Sequence, residues 1–349
     1  MIQQIRNLIP KPVKRFLRYW VTYPFFRLSL WRNVRYDQKR FRTWSSADGR
    51  PDQKIQLRSW INADYHKIEK ALALRKPRPG FGTAVVLRLL ENLELFQQQY
   101  GYDEICLIAL NTLNNYLAFN EAQDHSDPRL SKRIEALLAA TTAEALKSTG
   151  GGTIEIQRET IHQKSKLDLR EFFASRHSIR QFAPDSVSRE LLEQAVRMAQ
   201  KTPTVCNRQS PKVYAYDEPS DRKRVIGCQR GNGGFGHEIP LILVVTSDVQ
   251  TFFAVGERNQ CWIDGGLFAM SLVYALHSLG LGAICLNWSV EKHFDQELHE
   301  VADIPASEAV IMMIGVGHLP DKLTVAQSCR KPLEEVLHYP KTSREPQLP

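Results

Sequence analysis

Long apolar runs are missing from this 349-residue chain. No stretch approaches the roughly 18 apolar residues that a spanning helix needs, so no transmembrane segment is expected. Paired cysteines are missing too. Cys106, Cys206, Cys228, Cys261, Cys285 and Cys329 include no CxxC pair and match no zinc spacing. That pattern predicts free thiols in a reducing compartment and no bound metal. The opening "MIQQIRNLIPKPVKRF" lacks an apolar core followed by a small-residue cleavage site, so the expected location is cytoplasmic. Net charge is absent from most of the chain. Residues 1–50 hold 12 Lys/Arg against 2 Asp/Glu, which leaves 34 against 36 in the rest. A near-neutral body excludes a nucleic-acid-binding surface of the usual kind, and the basic character belongs to an N-terminal arm. The glycine-rich stretch "GCQRGNGGFGHEIP" (227–240) leads into a strand rather than following one, so it is no dinucleotide fingerprint.

The arm, residues 1–45, alternates aromatics with arginines. Phe16, Trp20, Phe25, Phe26 and Trp31 suit a headgroup layer while Arg15, Arg18, Arg27 and Arg32 suit lipid phosphates. An anionic membrane surface at the inner face of the cell membrane is one expectation. Packing of the same aromatics on the protein or a partner subunit is the other. Pro24 argues against one continuous helix through the arm.

Residues 46–150 read as a helical unit. Leu57, Ile61, Tyr65, Ile68 and Leu72 share a face over 54–74. "KPRPGFG" breaks the chain, and helices are expected over 83–99, 104–121 and 128–147, the last with Pro128 in its first turn. His66, Glu69 and Lys70 fall on one helix face, and an ion pair is favoured over a metal site because no second such pair exists. A polar connector is expected over 151–167.

From 168 to 349 the texture changes. Ser188 is a credible N-cap for a helix over 190–200. "PKVYAY" (211–216), "PLILVVTS" (240–247), "AICLN" and "AVIMMIGVGH" (309–318) read as strands, and 264–279 as a helix apolar nearly all round. Gly265, Gly266, Ala269, Ser271 and Ala275 permit close approach to that helix. Such a helix lies in the middle of something, often a subunit interface.

"RHSIRQF", "TPTVCNRQ", "DGGLFAMSLVYALHSLGLGAICLNW", "AVIMMIGVGHLP" and "SCRKPLEEV" occur in order over roughly residues 170–340. This series resembles the FMN-dependent nitroreductase family. The stretch "YHKIEKALALRKPRPGFG" is further similar to an N-terminal extension on nitroreductase-like proteins encoded among bacterial surface-polysaccharide genes. The resemblance implies an α+β fold, a nitroreductase-like mixed sheet flanked by helices, dimeric, with the helical region preceding it. It also implies FMN at the subunit interface of a homodimer, with NAD(P)H as co-substrate and hydride passing through flavin N5 to a small oxidised acceptor in ping-pong order. By resemblance, Arg176 and Ser178, with His177 between them, hold the flavin phosphate and ribityl chain. Arg180 lies by the N1/O2 edge of the ring. Pro203, Thr204, Asn207 and Gln209 form the loop whose Asn pairs with the pyrimidine edge. The backbone near Asn287 and Trp288 donates to N5, and Arg330 returns to the phosphate. No catalytic acid or base is implied.

Departures stand beside the match. Ser210–Pro211 replaces the family's Pro-Trp, and Ser328 stands where some relatives carry Lys. Cys206 reads as a buried small hydrophobe in preference to a reactive thiol. The 227–240 loop is expected over the flavin, with Phe235 or His237 near substrate. Two other functions stay open: a flavin enzyme that does not use nicotinamide, such as a dehalogenase-like or flavin-modifying relative, and a non-catalytic membrane-attached subunit of a polysaccharide assembly system.

Overall fold

The computed structural model describes residues 23–164, 168–326, 328 and 330–339. Phe16, Trp20, Arg15, Arg18 and Cys329 lie outside the described residues. The first described element is helix α1 (Tyr23–Trp44), with Pro24 in its opening turn, where a missing N–H costs nothing. Four helices follow: α2 (Lys54–Leu72), α3 (Thr83–Tyr100), α4 (Glu104–Glu121) and α5 (Pro128–Ala139). Their apolar stripes close on one core, with Leu57, Ile61 and Ile68 of α2 meeting Leu89, Leu93 and Phe96 of α3 and Leu110 and Leu113 of α4.

Side-chain caps set where these helices begin. Asp103 accepts the Cys106 N–H, and Asp127 accepts the Arg129 N–H ahead of Pro128. The helix expected over 128–147 is two helices. Thr142 caps a separate short α6 (Ala143–Lys147) by accepting the Ala145 N–H, which interrupts the first. Asn111 then catches the turn after α6, donating to the carbonyls of Leu146, Thr149 and Gly150. The connector carries a short helix α7 (Arg158–Lys164).

The remainder is a sheet between two helical layers. After α8 (Leu169–Ser175) and α9 (Arg189–Ala199) come β1 (Pro211–Tyr216), α10 (Pro219–Gly227), β2 (Leu241–Asp248), α11 (Gln260–Ser278), β3 (Leu281–Asn287), α12 (Lys292–Val301) and β4 (Glu308–His318). Ser188 caps α9 as expected, accepting the Leu191 N–H. The strand order is β1-β2-β4-β3, and every named pair is antiparallel. The sheet is mixed only through one parallel bridge, Ser178 to Ala283 at the β3 edge. All eight residues of β2 are buried, because it has a strand on each side and a helical layer on each face.

On one face α9 and α11 pack through Ala195, Phe268, Leu272 and Leu276. On the other, α10 and α12 pack through Val225, Leu298 and Ala302. Gly265 lets α11 lie hard against β4, since a Cβ there would sit 2.4 Å from Ile311 Cγ1. Among the described residues, one face of α11 has no cover: Trp262, Ile263 and Leu267 are 43%, 53% and 49% exposed.

The N-terminal elements dock on this layered half. Asn33 Oδ1 accepts the Lys292 N–H, Tyr36 donates to Asp295, and Arg40 pairs with the same carboxylate. Phe41 and Trp44 pack beside Val249, Phe252 and Cys261. Phe25, Phe26 and Trp31 stay exposed. The C-terminal turns of α1 therefore pack on the protein, as one of the two expectations had it, while its first turns present aromatics to solvent. Among the described residues no helix is long and apolar enough to cross a membrane.

Candidate functional site

Two groups of the sequence-singled residues form around α11. The first follows the β3 edge. The chain leaves α8 at Arg176 and runs beside β3, with Ile179 N–H donating to the Ala283 carbonyl at 3.0 Å. Gly282 makes room for this segment, since a Cβ there would stand 3.1 Å from the Ile179 methyls. Ile179 is buried while Ser178 and Arg180 on either side of it are exposed, the period of two that an extended segment imposes. Cys285 and Asn287 are likewise exposed on β3, with Leu286 buried between them. Arg176, Ser178 and Arg180 thus form a row along the strand edge beside Ala283.

The row is cationic and unneutralised. Among the described residues, no carboxylate lies within ion-pair distance of Arg176, His177 or Arg180. Arg180 rests over the Phe235 ring at 5.8 Å. Neighbouring groups register the charge. Burial, and then the proximity of Arg176 and His177, holds His277 below the ordinary imidazole value against a bond to the Phe172 backbone. Cys285 has an exposed surface, yet enough protein surrounds its sulfur that desolvation raises the thiol, with Arg176 opposing. Arg176 and His177 line a small recess with Ser175 and His277, and the Ser175 hydroxyl lies 2.9 Å from His277 Nε2.

The second group is the loop 203–209. Cys206, Asn207 and Gln209 all have left-handed backbones, with φ of 49°, 53° and 52°. For Asn that region is accessible, whereas for Cys and Gln it is strained. Three contacts hold the strain. Asp264 in the first turn of α11 accepts the Val205 N–H, at 3.2 Å to Oδ2. Thr204 Oγ1 accepts the Gln209 N–H at 3.0 Å. Asn62 reaches across from α2 and donates to the carbonyls of Cys206 at 3.3 Å and Asn207 at 2.5 Å. Asn62 is itself fixed by the Tyr65 hydroxyl, which donates to its Oδ1 at 2.5 Å. Below the loop, the buried Arg208 pairs with Glu257 and donates to the Thr251 carbonyl at 2.8 Å. Cys206 is partly exposed, so the reading of it as a buried hydrophobe does not hold.

Within one protomer these groups stand apart. Asp264 anchors the loop at the first turn of α11, and His277 marks Arg176 at the last, about 20 Å along the helix. The loop feeds edge strand β1, and the Arg176 segment lies on the opposite edge, β3. The remaining predicted residues are placed as follows. The Asn287 carbonyl accepts from Gln229 Nε2 at 3.2 Å, which ties the 227–240 loop to the end of β3. Trp288 turns its indole N–H to Asp295 at 2.8 Å. Arg330 is exposed and donates to the Ser328 carbonyl, while the ion pair to Glu335 in that segment comes from Lys331. Pro203 and Gln209 are exposed. His66 and Glu69 pair with each other at 3.1 Å, and no cluster suited to a metal occurs among the described residues.

The sequence pattern of the nitroreductase family matches residues 173–227 and 227–318. This part of the chain is a nitroreductase-family domain. Both site groups fall inside the matched span, apart from Arg330 and the Asn62 clamp. Among solved structures similar to the chain, the FMN-dependent nitroreductase of Clostridium difficile R20291 is 21% identical, with 49% of this chain and 98% of that one covered at a TM-score of 0.42. The nitroreductase family protein of Streptococcus pneumoniae TIGR4 is 19% identical, covering 50% and 100% at 0.43. The hypothetical oxidoreductase YcnD of Bacillus subtilis is 21% identical, covering 51% and 75% at 0.44. No curated protein matches the chain.

Asn62, Asp264 and Gln229 are the residues that sequence reasoning missed. Asn62 follows Ile61 on a helix that buries Gln56, Ser59 and Asp64 as well, so its polarity alone did not mark it. Its partners lie more than 140 positions away, and nothing local names them.

Proposed function

We propose that this nitroreductase-family protein is an FMN-dependent oxidoreductase that works as a homodimer. The observation that carries the reading is the row of Arg176, Ser178 and Arg180, cations and a hydroxyl on one strand edge with no carboxylate among the described residues to neutralise them. A phosphate dianion fits that donor set, since guanidinium donates in a fork and Ser adds a hydroxyl. When bound, the flavin supplies a two-electron carrier that takes hydride from NAD(P)H at N5 and passes it to a small oxidised acceptor in ping-pong order.

The chain's own residues have separate tasks. Arg176, Ser178 and His177 bind the phosphate end, with Arg330 as a second cation from the C-terminal segment. Arg180 places positive charge by the ring edge that becomes anionic on reduction, which favours the reduced form. Asn207 and Gln209, with Pro203 and Thr204 shaping their loop, orient the pyrimidine edge. Asn287 and the start of the 288 turn, where β3 ends, would offer backbone donors to the reacting side of the ring.

A second copy accounts for the spacing. The Arg176 row and the Asn207 loop sit at opposite ends of α11, with its uncovered apolar face between them. A two-fold axis across that face brings the row of one protomer to the loop of the other, and it buries Ile263 and Leu267. Absorption spectroscopy of the purified protein tests the reading. A flavin spectrum that bleaches anaerobically on adding NADPH is expected. Arg176→Ala should weaken FMN binding by about 10- to 100-fold, the worth of a charge-assisted pair. A colourless protein that takes up no added FMN would sink the flavin reading. A yellow protein that does not bleach with NADPH or NADH would sink only the nicotinamide half.

A further inference from the structure

Away from both site groups, a groove of about 820 Å³ runs between α1 and α12. Arg32, Arg35 and Lys39 line it from α1, and Lys292 from the start of α12. All four are exposed, and among the described residues none has a carboxylate within 4.0 Å. The groove's deeper cation, Arg40, is already neutralised by Asp295, which leaves Glu300 as the one acid along the walls. Two of these cations are braced by aromatic rings rather than by charge. Arg35 lies 5.2 Å from the Trp31 ring and Lys292 5.5 Å from the Tyr36 ring.

The same side of α1 continues toward its N-terminus as large apolar groups. Phe25, Leu28 and Trp31 are 68%, 42% and 55% exposed. The adjoining stripe, through Asn33, Tyr36 and Arg40, is tied to α12 by the bonds described above. The helix is therefore held on the protein with its aromatic turns and its cations outward.

We propose that this surface docks the protein on an anionic phospholipid bilayer, with phosphate headgroups in the groove and Phe25, Leu28 and Trp31 at the acyl boundary. The charge pattern selects the bilayer over a soluble phosphate: a free anion uses the cations but leaves the apolar turns beside them in water, whereas a bilayer takes both. Four basic groups near such a surface raise partitioning by about a thousand-fold at moderate ionic strength. The α12 layer lies on the other face of the sheet from α11, so pairing of two copies through α11 leaves the groove open. The inference does not rest on the flavin reading.

The test is flotation of the full-length protein with phosphatidylcholine vesicles and with vesicles that also contain phosphatidylglycerol. Flotation with the anionic vesicles alone is expected, and it should weaken steeply with added salt. The triple variant Arg32→Glu, Arg35→Glu, Lys39→Glu should lose binding about 100-fold with unchanged circular dichroism. Lys292→Glu, on a different element, provides a second variant should the triple one misfold, and it should lose about tenfold. Leu28→Ala with Trp31→Ala should lose binding while keeping all four charges. Equal flotation with both vesicle types, or undiminished flotation of the charge variants, would overturn the proposal. So would binding of glycerol phosphate in solution by a protein that no vesicle retains.

Discussion

Asn62→Ala should loosen a loop more than 140 positions away in sequence. Asn62 is 4% exposed and Tyr65 3%. The substitution removes two donated bonds, to the carbonyls of Cys206 and Asn207, and strips the Tyr65 hydroxyl of its acceptor. A buried hydroxyl left unpaired costs about 1–3 kcal/mol, and each loop carbonyl, free to turn to water, loses about 0.5–1.5 kcal/mol. A stability loss of about 2–6 kcal/mol follows. The left-handed backbone at Cys206 already opposes the loop by about 1–2 kcal/mol, so relaxation has a direction: Cys206 leaves that region and turns Asn207 away. If about 1.4 kcal/mol of that relaxation is felt in the flavin-competent geometry, the FMN Kd weakens about tenfold. Titration of FMN by fluorescence quenching, with the visible spectrum of the bound flavin as a second readout, measures it. Tyr65→Phe serves as a control, because it removes the hydroxyl but keeps both loop bonds; it should lower stability with little change in Kd. Asn62→Asp keeps an acceptor for Tyr65 but offers the carbonyls no donor, and should resemble Asn62→Ala in Kd. Folded Asn62 variants with unchanged FMN affinity and spectrum would refute the clamp.

Further outcomes can be checked independently. Leu267→Glu, on the open face of α11, should yield a folded monomer in sedimentation and, with it, weak FMN binding; a dimer of unchanged affinity rules out pairing through that face. Gly265→Ala, whose Cβ would lie 2.4 Å from Ile311 Cγ1, should cost about 1–3 kcal/mol by overpacking. Gly266→Ala, with nothing within 4 Å, should not, and urea titration distinguishes the two. Burial raises the Asp295 carboxyl, but the Arg40 charge and the bonds from Arg40 and Trp288 outweigh it and hold the group below its ordinary value. Its contribution is therefore complete above the unfolded value near about pH 4 and is lost as pH falls through the folded value. Asp295→Asn should lose about 3–5 kcal/mol at neutral pH, because Arg40 stays buried without its partner. It should also show a shallower acid dependence of stability than the wild type, and identical acid profiles would count against the pairing.

The helical half was legible because its signals are local. The apolar stripe of α2, the break at "KPRPGFG" and the Asp103 and Asp127 caps all lie within a few positions of what they control. The break between α5 and α6 was missed because Thr142 caps a helix of only five residues inside a strongly helical composition. The strands of the second half were legible from apolar runs, though buried β2 looked alike for parallel and antiparallel pairing. Of the candidate site, Arg176, Ser178, Arg180 and Asn207 could be singled out by their chemistry and by the family resemblance. The geometry joining them could not. Sequence order does not show that α11 holds the two groups apart, or that the brace on Asn207 comes from a helix outside the family match.

Asp295 has two masters. One oxygen receives the indole of Trp288, the residue that follows the last position of β3. The other receives Tyr36 and Arg40 of the arm. A single carboxylate is thus the fulcrum between the chain's first described helix and the turn that follows β3. Any load that shifts one lever, whether a pull on the arm or a displacement of the indole, is delivered to the other through two bonds, and thermodynamics requires the return effect to be of equal size.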